Sequence, residues 1–81
     1  MQEHRVYYLL FHTIHDVLKA DKILKEKQVR YELVPIPRNL SSDCGMCVRL
    51  LDELEEVRGH IKDIEMDKCF MLDSDTYVSL K

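Results

Sequence analysis

The chain has no long apolar run, no block of like charge, no internal repeat and no low-complexity segment. Each absence closes off a class of protein. The longest apolar run, Val6 to Phe11, is far shorter than the roughly 20 residues a membrane-crossing helix needs. The opening Met1-Gln2-Glu3-His4-Arg5 lacks the charged-then-apolar order of a signal peptide, so a cytoplasmic protein that does not engage membranes is expected. Twelve basic against fifteen acidic residues leave a net charge of −3 with no basic stripe, and nucleic acid is not expected as a partner. Tyr7 and Tyr8 lie side by side, but the glycine-aromatic pattern of an RNA-recognition strand is missing around them. Three cysteines are an odd number, unsuited to a secreted disulfide framework, and a reducing compartment would keep them as thiols.

What is present is an ordinary globular composition, 46% apolar and 33% charged. With 81 residues, the chain makes one domain that buries about 60% of the surface its unfolded form exposes. A core over about residues 5–72 is expected, with residues 73–81 as a tail or an extra edge strand. Residues 5–12 are aromatic and branched without Gly or Pro, which suits a buried central strand. Thr13 is placed to cap a helix over residues 14–28. Within it Ile14, Val17, Leu18, Ala20 and Leu24 recur at helical spacing while Lys19, Lys22, Lys25 and Lys27 face elsewhere. Arg30 to Pro35 forms a second strand, which proline stops and assigns to a sheet edge. Met46 to Leu51 returns as a third. Asp52 and Glu55 can form a capping box for a second helix over residues 53–65, weakened by Gly59. Lys68 to Leu72 supplies a fourth strand.

The order strand, helix, strand, strand, helix, strand predicts an α+β fold of the ferredoxin-like βαββαβ type, with two helices on one face of a four-stranded antiparallel sheet. In that arrangement the end of the first strand, the start of the first helix and the turn between the second and third strands fall at one sheet edge.

That turn, Pro35-Ile36-Pro37-Arg38-Asn39-Leu40-Ser41-Ser42-Asp43-Cys44-Gly45-Met46-Cys47, is the most distinctive stretch of the chain. Two prolines withdraw backbone donors, so the preceding strand must leave its sheet there. Ser41, Ser42 and Asp43 can bond nearby backbone, and Gly45 permits a positive φ. Cys44 is thereby presented at the end of a shaped turn. A cysteine reacts or ligates as thiolate, and its pKa of about 8.5 falls beside a cation or a helix N-terminus. Arg38 is the cation in the same loop, and His12 could accept a proton. Set against this, Cys44 could be a passive turn thiol and Arg38 a solvated charge.

Cys44-Gly45-Met46-Cys47 also has the spacing of a dithiol or half a metal site. It enters a strand, however, where Cys47 is better read as a small buried hydrophobe. His12 and His15 could join Cys44 and Cys47 in a two-nitrogen, two-sulfur metal site, but ordinary surface histidines are the preferred reading of that spacing, and neither a metal nor another cofactor is expected. Cys69 sits in an apolar run and reads as core. The carboxylates Asp52, Glu53, Glu55 and Glu56 read as caps and a solvated face.

Phe11-His12-Thr13 before a Lys-rich helix, Leu33-Val34-Pro35-Ile36-Pro37-Arg38, and Leu40-Ser41-Ser42-Asp43-Cys44-Gly45 together resemble the small selenium/sulfur carrier-like family, over roughly residues 5–65. The resemblance places the family's cysteine at Cys44, its arginine at Arg38 and its glycine at Gly45. Cys47 departs from the small or apolar residue expected there. What the resemblance implies is a carrier that takes up sulfur or selenium on Cys44 as a persulfide or selenide and passes it on. Arg38, Ser41, Ser42, Gly45 and His12 would then surround the charge. Its partners would be donor and acceptor proteins, with a homodimer as a further option because small open sheets often pair. Two other readings stand beside it: a non-catalytic binding or regulatory module, and a small dithiol redox protein using Cys44 and Cys47.

Overall fold

A computed structural model describes residues 5–38, 40 and 45–80. The described residues form β1 (Val6–Phe11), α1 (Ile14–Glu26), β2 (Tyr31–Pro35), β3 (Met46–Leu50), α2 (Leu54–His60), β4 (Met66–Asp73) and β5 (Thr76–Ser79). The fold is α+β: two helices and one five-stranded sheet of order β2-β3-β1-β4-β5, with every neighbouring pair antiparallel.

Local chemistry accounts for α1 at both ends. Thr13 is extended, and its hydroxyl oxygen accepts from the Asp16 amide at 3.2 Å, while Asp16 puts an acid in the first turn. At the other end the Gln28 amide donates to the Lys25 carbonyl at 3.2 Å and the Val29 amide to the Leu24 carbonyl at 3.0 Å, a Schellman motif. Gln28 supplies its left-handed residue, at φ 59°. The helix therefore stops at Glu26, two residues before its expected end.

β1 is the middle strand and is buried on both faces. Leu9 and Phe11 point to the helices, where they pack with Val17, Ala20, Leu24, Val48, Leu50, Leu54, Val57, Ile61, Ile64 and Cys69. Tyr8 and Leu10 point the other way, into a second cluster with Cys47 and Leu40. Because both faces are covered, the strand needs no polar alternation, and the sequence of β1 shows none.

Two expectations require correction. The sheet has five strands, not the four of the expected ferredoxin-like arrangement, because of the two options for residues 73–81, a tail or an extra edge strand, the strand forms. Ser74, at φ 56°, lets the chain reverse in a two-residue hairpin, and residues 76–79 return beside β4, extended by the Leu80 amide donating to the Cys69 carbonyl at 2.8 Å. The second helix is shorter than residues 53–65, and the Asp52/Glu55 capping box does not form. Asp52 instead accepts from the next amide, that of Glu53, at 3.0 Å, and Glu53 caps the helix without a side-chain hydrogen bond. Past Gly59 the chain turns, with the Ile64 amide on the Ile61 carbonyl at 3.0 Å. That turn still buries Ile61 and Ile64 while reversing the chain into β4.

One hydrogen bond ties α1 to the edge strand β2. The Tyr31 hydroxyl donates to Asp21, whose carboxylate and backbone carbonyl both lie within reach, the carbonyl at 3.0 Å. Burial, then the hydrogen bond and charge of Asp21, push the Tyr31 pKa from 10.0 up to about 12. The folded chain thus holds this proton more tightly than the unfolded one. The resulting stabilisation is complete below pH 10.0 and is lost as pH rises through about 12. Tyr31→Phe should cost about 1 kcal/mol at neutral pH and flatten the alkaline decline, measured by urea unfolding between pH 7 and 12.

Candidate functional site

The topology brings four chain segments to one edge of the sheet. These are the end of β1 with the α1 N-terminus at Ile14, the end of β2 at Pro35, the start of β3 at Met46 and the start of β4 at Met66. The β2-β3 ladder continues one step past Pro35↔Met46, with the Ile36 amide donating to the Gly45 carbonyl at 3.4 Å. A turn follows, closed by the Leu40 amide on the Pro37 carbonyl at 3.0 Å. Arg38 sits in that turn with an exposed side chain.

Leu40 folds back as an anchor. It is buried against Tyr8, Leu10 and Cys47 on the helix-free face of the sheet, and Ile36 packs with both clusters. Of the connection's described residues, Ile36 therefore reaches both faces and Leu40 lies over the second. The turn signals of the sequence are the prolines and serines. Leu40 carries none of them, and its role follows only from the uncovered Leu10 and Cys47 beneath it.

Gly45 is exposed and has no positive φ, and a Cβ built there meets nothing within 4 Å. It provides no left-handed turn. His12 is exposed and lies toward β4, with Nε2 3.9 Å from Glu65 and Nδ1 3.8 Å from Asp67. A register shift between Leu10 and Phe11, which face Lys68 and Met66 in turn, places the additional residue Asp67 beside it. Cys44, Ser41 and Ser42 lie outside the described residues. Among the described residues no group of three or more His, Cys, Asp or Glu is placed to hold a metal ion.

Cys47 is fully buried on the helix-free face. Around it the sheet carries a polar row absent from the expected site. Arg49 stands opposite both Tyr8 on β1 and Glu32 on β2. It donates to the Glu32 carboxylate at 2.7 Å. Hydrogen bonds to Tyr8 first and Glu32 second raise the Arg49 pKa, so the guanidinium is held as a cation. Tyr77 of β5 meets Tyr8 edge to face, with centroids 5.4 Å apart at 74°. Burial first, then Tyr8 and Cys47, raise the Tyr77 pKa. Alternation along β3 was the available signal, because it puts Cys47 and Arg49 together on the face opposite Val48 and Leu50.

The described residues make a small α+β domain in which, between β2 and β3 in the chain, Arg38 is exposed and Leu40 is buried. The chain matches the family described as Putative Se/S carrier protein-like over residues 6–68, from β1 into β4, and it belongs to that family. No curated protein and no solved structure matches it. Among the described residues no helix is long and apolar enough to cross a membrane.

Leu40→Ala should destabilise the fold by about 2 kcal/mol by exposing Leu10 and Cys47. Hydrogen exchange should then quicken at the Ile36 and Cys47 amides, which face across the β2-β3 ladder, before the rest of the sheet opens.

Proposed function

We propose that this chain is a sulfur or selenium carrier that accepts its cargo on Cys44. The observation that carries the reading is membership of the Se/S carrier-like family, whose match encloses the whole β2-β3 loop. In the transfer step the Cys44 thiolate attacks the terminal sulfur of a donor persulfide. The new S–S bond forms on Cys44, the donor's S–S bond breaks, and the donor departs as thiolate with no net change in oxidation state. A second thiolate, on an acceptor protein, repeats the displacement and frees Cys44. Selenium follows the same course as a selenide bound to sulfur.

Arg38 supports this reading because an exposed guanidinium in the same loop attracts the anionic donor and cargo. Ser41, Ser42 and the backbone near Gly45 would supply hydrogen-bond donors to the terminal atom, and His12, at the same edge, would hold a proton. The partners are a donor and an acceptor protein, and a reducing compartment such as the cytoplasm keeps Cys44 as a thiol.

The dithiol reading is disfavoured by Cys47, whose side chain is fully buried among Tyr8, Leu10 and Leu40. A resolving thiol must reach the surface of the turn. A binding module in which Cys44 only packs would tolerate its loss.

The test is incubation with glutathione persulfide, followed by mass spectrometry of the intact chain and its peptides. Wild type and Cys47→Ala should each gain one sulfur atom on Cys44, and Cys44→Ser should gain none. Arg38→Ala should slow loading by up to about fivefold. Unchanged loading of Cys44→Ser contradicts the carrier reading, and loss of loading in Cys47→Ala would support the dithiol.

A further inference from the structure

Among the described residues β2 is an edge strand, and its outer side has a defined chemistry. The Leu51 amide donates to the Arg30 carbonyl at 2.9 Å, and the Ile36 amide to the Gly45 carbonyl at 3.4 Å. Backbone groups of residues 30, 32, 34 and 36 therefore point to β3, and those of Tyr31, Leu33 and Pro35 point out of the sheet. The open edge offers the amides of Tyr31 and Leu33 and the carbonyls of all three.

The α1 flank above this edge is apolar and exposed. Ile14 and Leu18 are 48% and 53% exposed, although both are large hydrophobics one helical turn apart. Asp21 identifies the side they occupy. It lies on the helix surface between buried Val17 and the Ile14-Leu18 stripe, and it receives the hydroxyl of Tyr31 from β2. The stripe thus lies on the β2 side of α1, a helix that packs mainly over β3 and β1. At the opposite edge Val78 and Leu80 are also exposed, but the nearer helix, α2, has Glu55, Glu56, Arg58 and Gly59 as its exposed residues and adds no apolar surface there.

We propose that a second copy of this chain docks on this seam, β2 pairing antiparallel with the partner's β2 about a two-fold axis at Leu33. Two registers fit the outward groups. Pairing Tyr31 with the partner's Leu33 sets the two Glu32 side chains directly opposite each other, a like-charge contact that destabilises a sheet. Pairing Leu33 with the partner's Leu33 sets Glu32 opposite Val34 instead. It keeps four hydrogen bonds, two between the Leu33 residues and one from each Tyr31 amide to a Pro35 carbonyl. Pro35 has no amide, so the ladder ends there without an unmet donor.

The helix agrees with this register. Tyr31 is level with Asp21 through their hydrogen bond. Leu33 lies about 6.6 Å further along β2, which corresponds to about four residues of α1 counted back toward its N-terminus. That level falls at Val17, which is buried, and Leu18 is the exposed apolar residue nearest to it, on the side turned toward the partner's Leu18. The interface is self-complementary, as a two-fold contact must be. It does not depend on what Cys44 carries.

Sedimentation equilibrium should show a concentration-dependent shift from 9.7 kDa toward twice that mass. In amide exchange, Tyr31 and Leu33 should gain protection as concentration rises, while Glu32 and Val34, bonded to β3, should not change. Leu18→Lys, at an exposed position that leaves the monomer folded, should weaken dimerisation about tenfold or more, whereas Val78→Lys should leave it intact. A constant 9.7 kDa up to about 1 mM overturns the proposal. A dimer broken by Val78→Lys and untouched by Leu18→Lys overturns it equally.

Discussion

The structure depends on a strand that is buried on both sides. Leu9, Leu10 and Phe11 are all fully inaccessible, so β1 needs an apolar cover above and below. Burying each such side chain is worth about 1.5–3 kcal/mol, a large share of what an 81-residue domain can accumulate. The helices cover one face. On the other, no helix is available among the described residues, and the cover comes from Ile36 and Leu40 of the β2-β3 connection with Tyr77 of the hairpin strand. Ile36 and Leu40 are thereby packed against the core.

This double burial explains where sequence reasoning succeeded and where it stopped. β1 was legible because a run of branched and aromatic residues without alternation suits a strand covered on both faces. α1 was legible because Thr13 and Asp16 mark its start locally, and the spacing of Val17, Ala20 and Leu24 marks its buried side. Its end was not, because Gln28 occupies the left-handed position usually given to glycine. The helix period of Leu54, Val57, Ile61 and Ile64 was real as burial but misleading as length, since the last two are buried from a turn. β5 had weak local signals because its partner, β4, lies across a hairpin whose left-handed residue is a serine.

The candidate site divides similarly. That the β2-β3 turn, the end of β1 and the start of α1 share an edge followed from strand order and handedness alone. What stays on one strand was also legible: Cys47 entering β3 as a buried residue. Contacts between distant strands were not. The Glu32-Arg49-Tyr8 row needs the register of three strands, and the two carboxylates beside His12 need a register shift on β4. Arg49 is therefore committed to its neighbours on the sheet, while Arg38 stands exposed in the loop. Of these two cations Arg38 is the one suited to meet an incoming anion, and the proposed carrier chemistry places its demand there.

The central claim is that this corner presents an activated thiolate. The direct measurement is the rate of iodoacetamide alkylation at Cys44 as a function of pH, resolved from Cys47 and Cys69 by peptide mass spectrometry on the native chain. The account predicts a titration midpoint well below the ordinary thiol value of about 8.5, with Cys47 and Cys69 protected by burial. A midpoint at or above that value, or no reaction at Cys44, would contradict it.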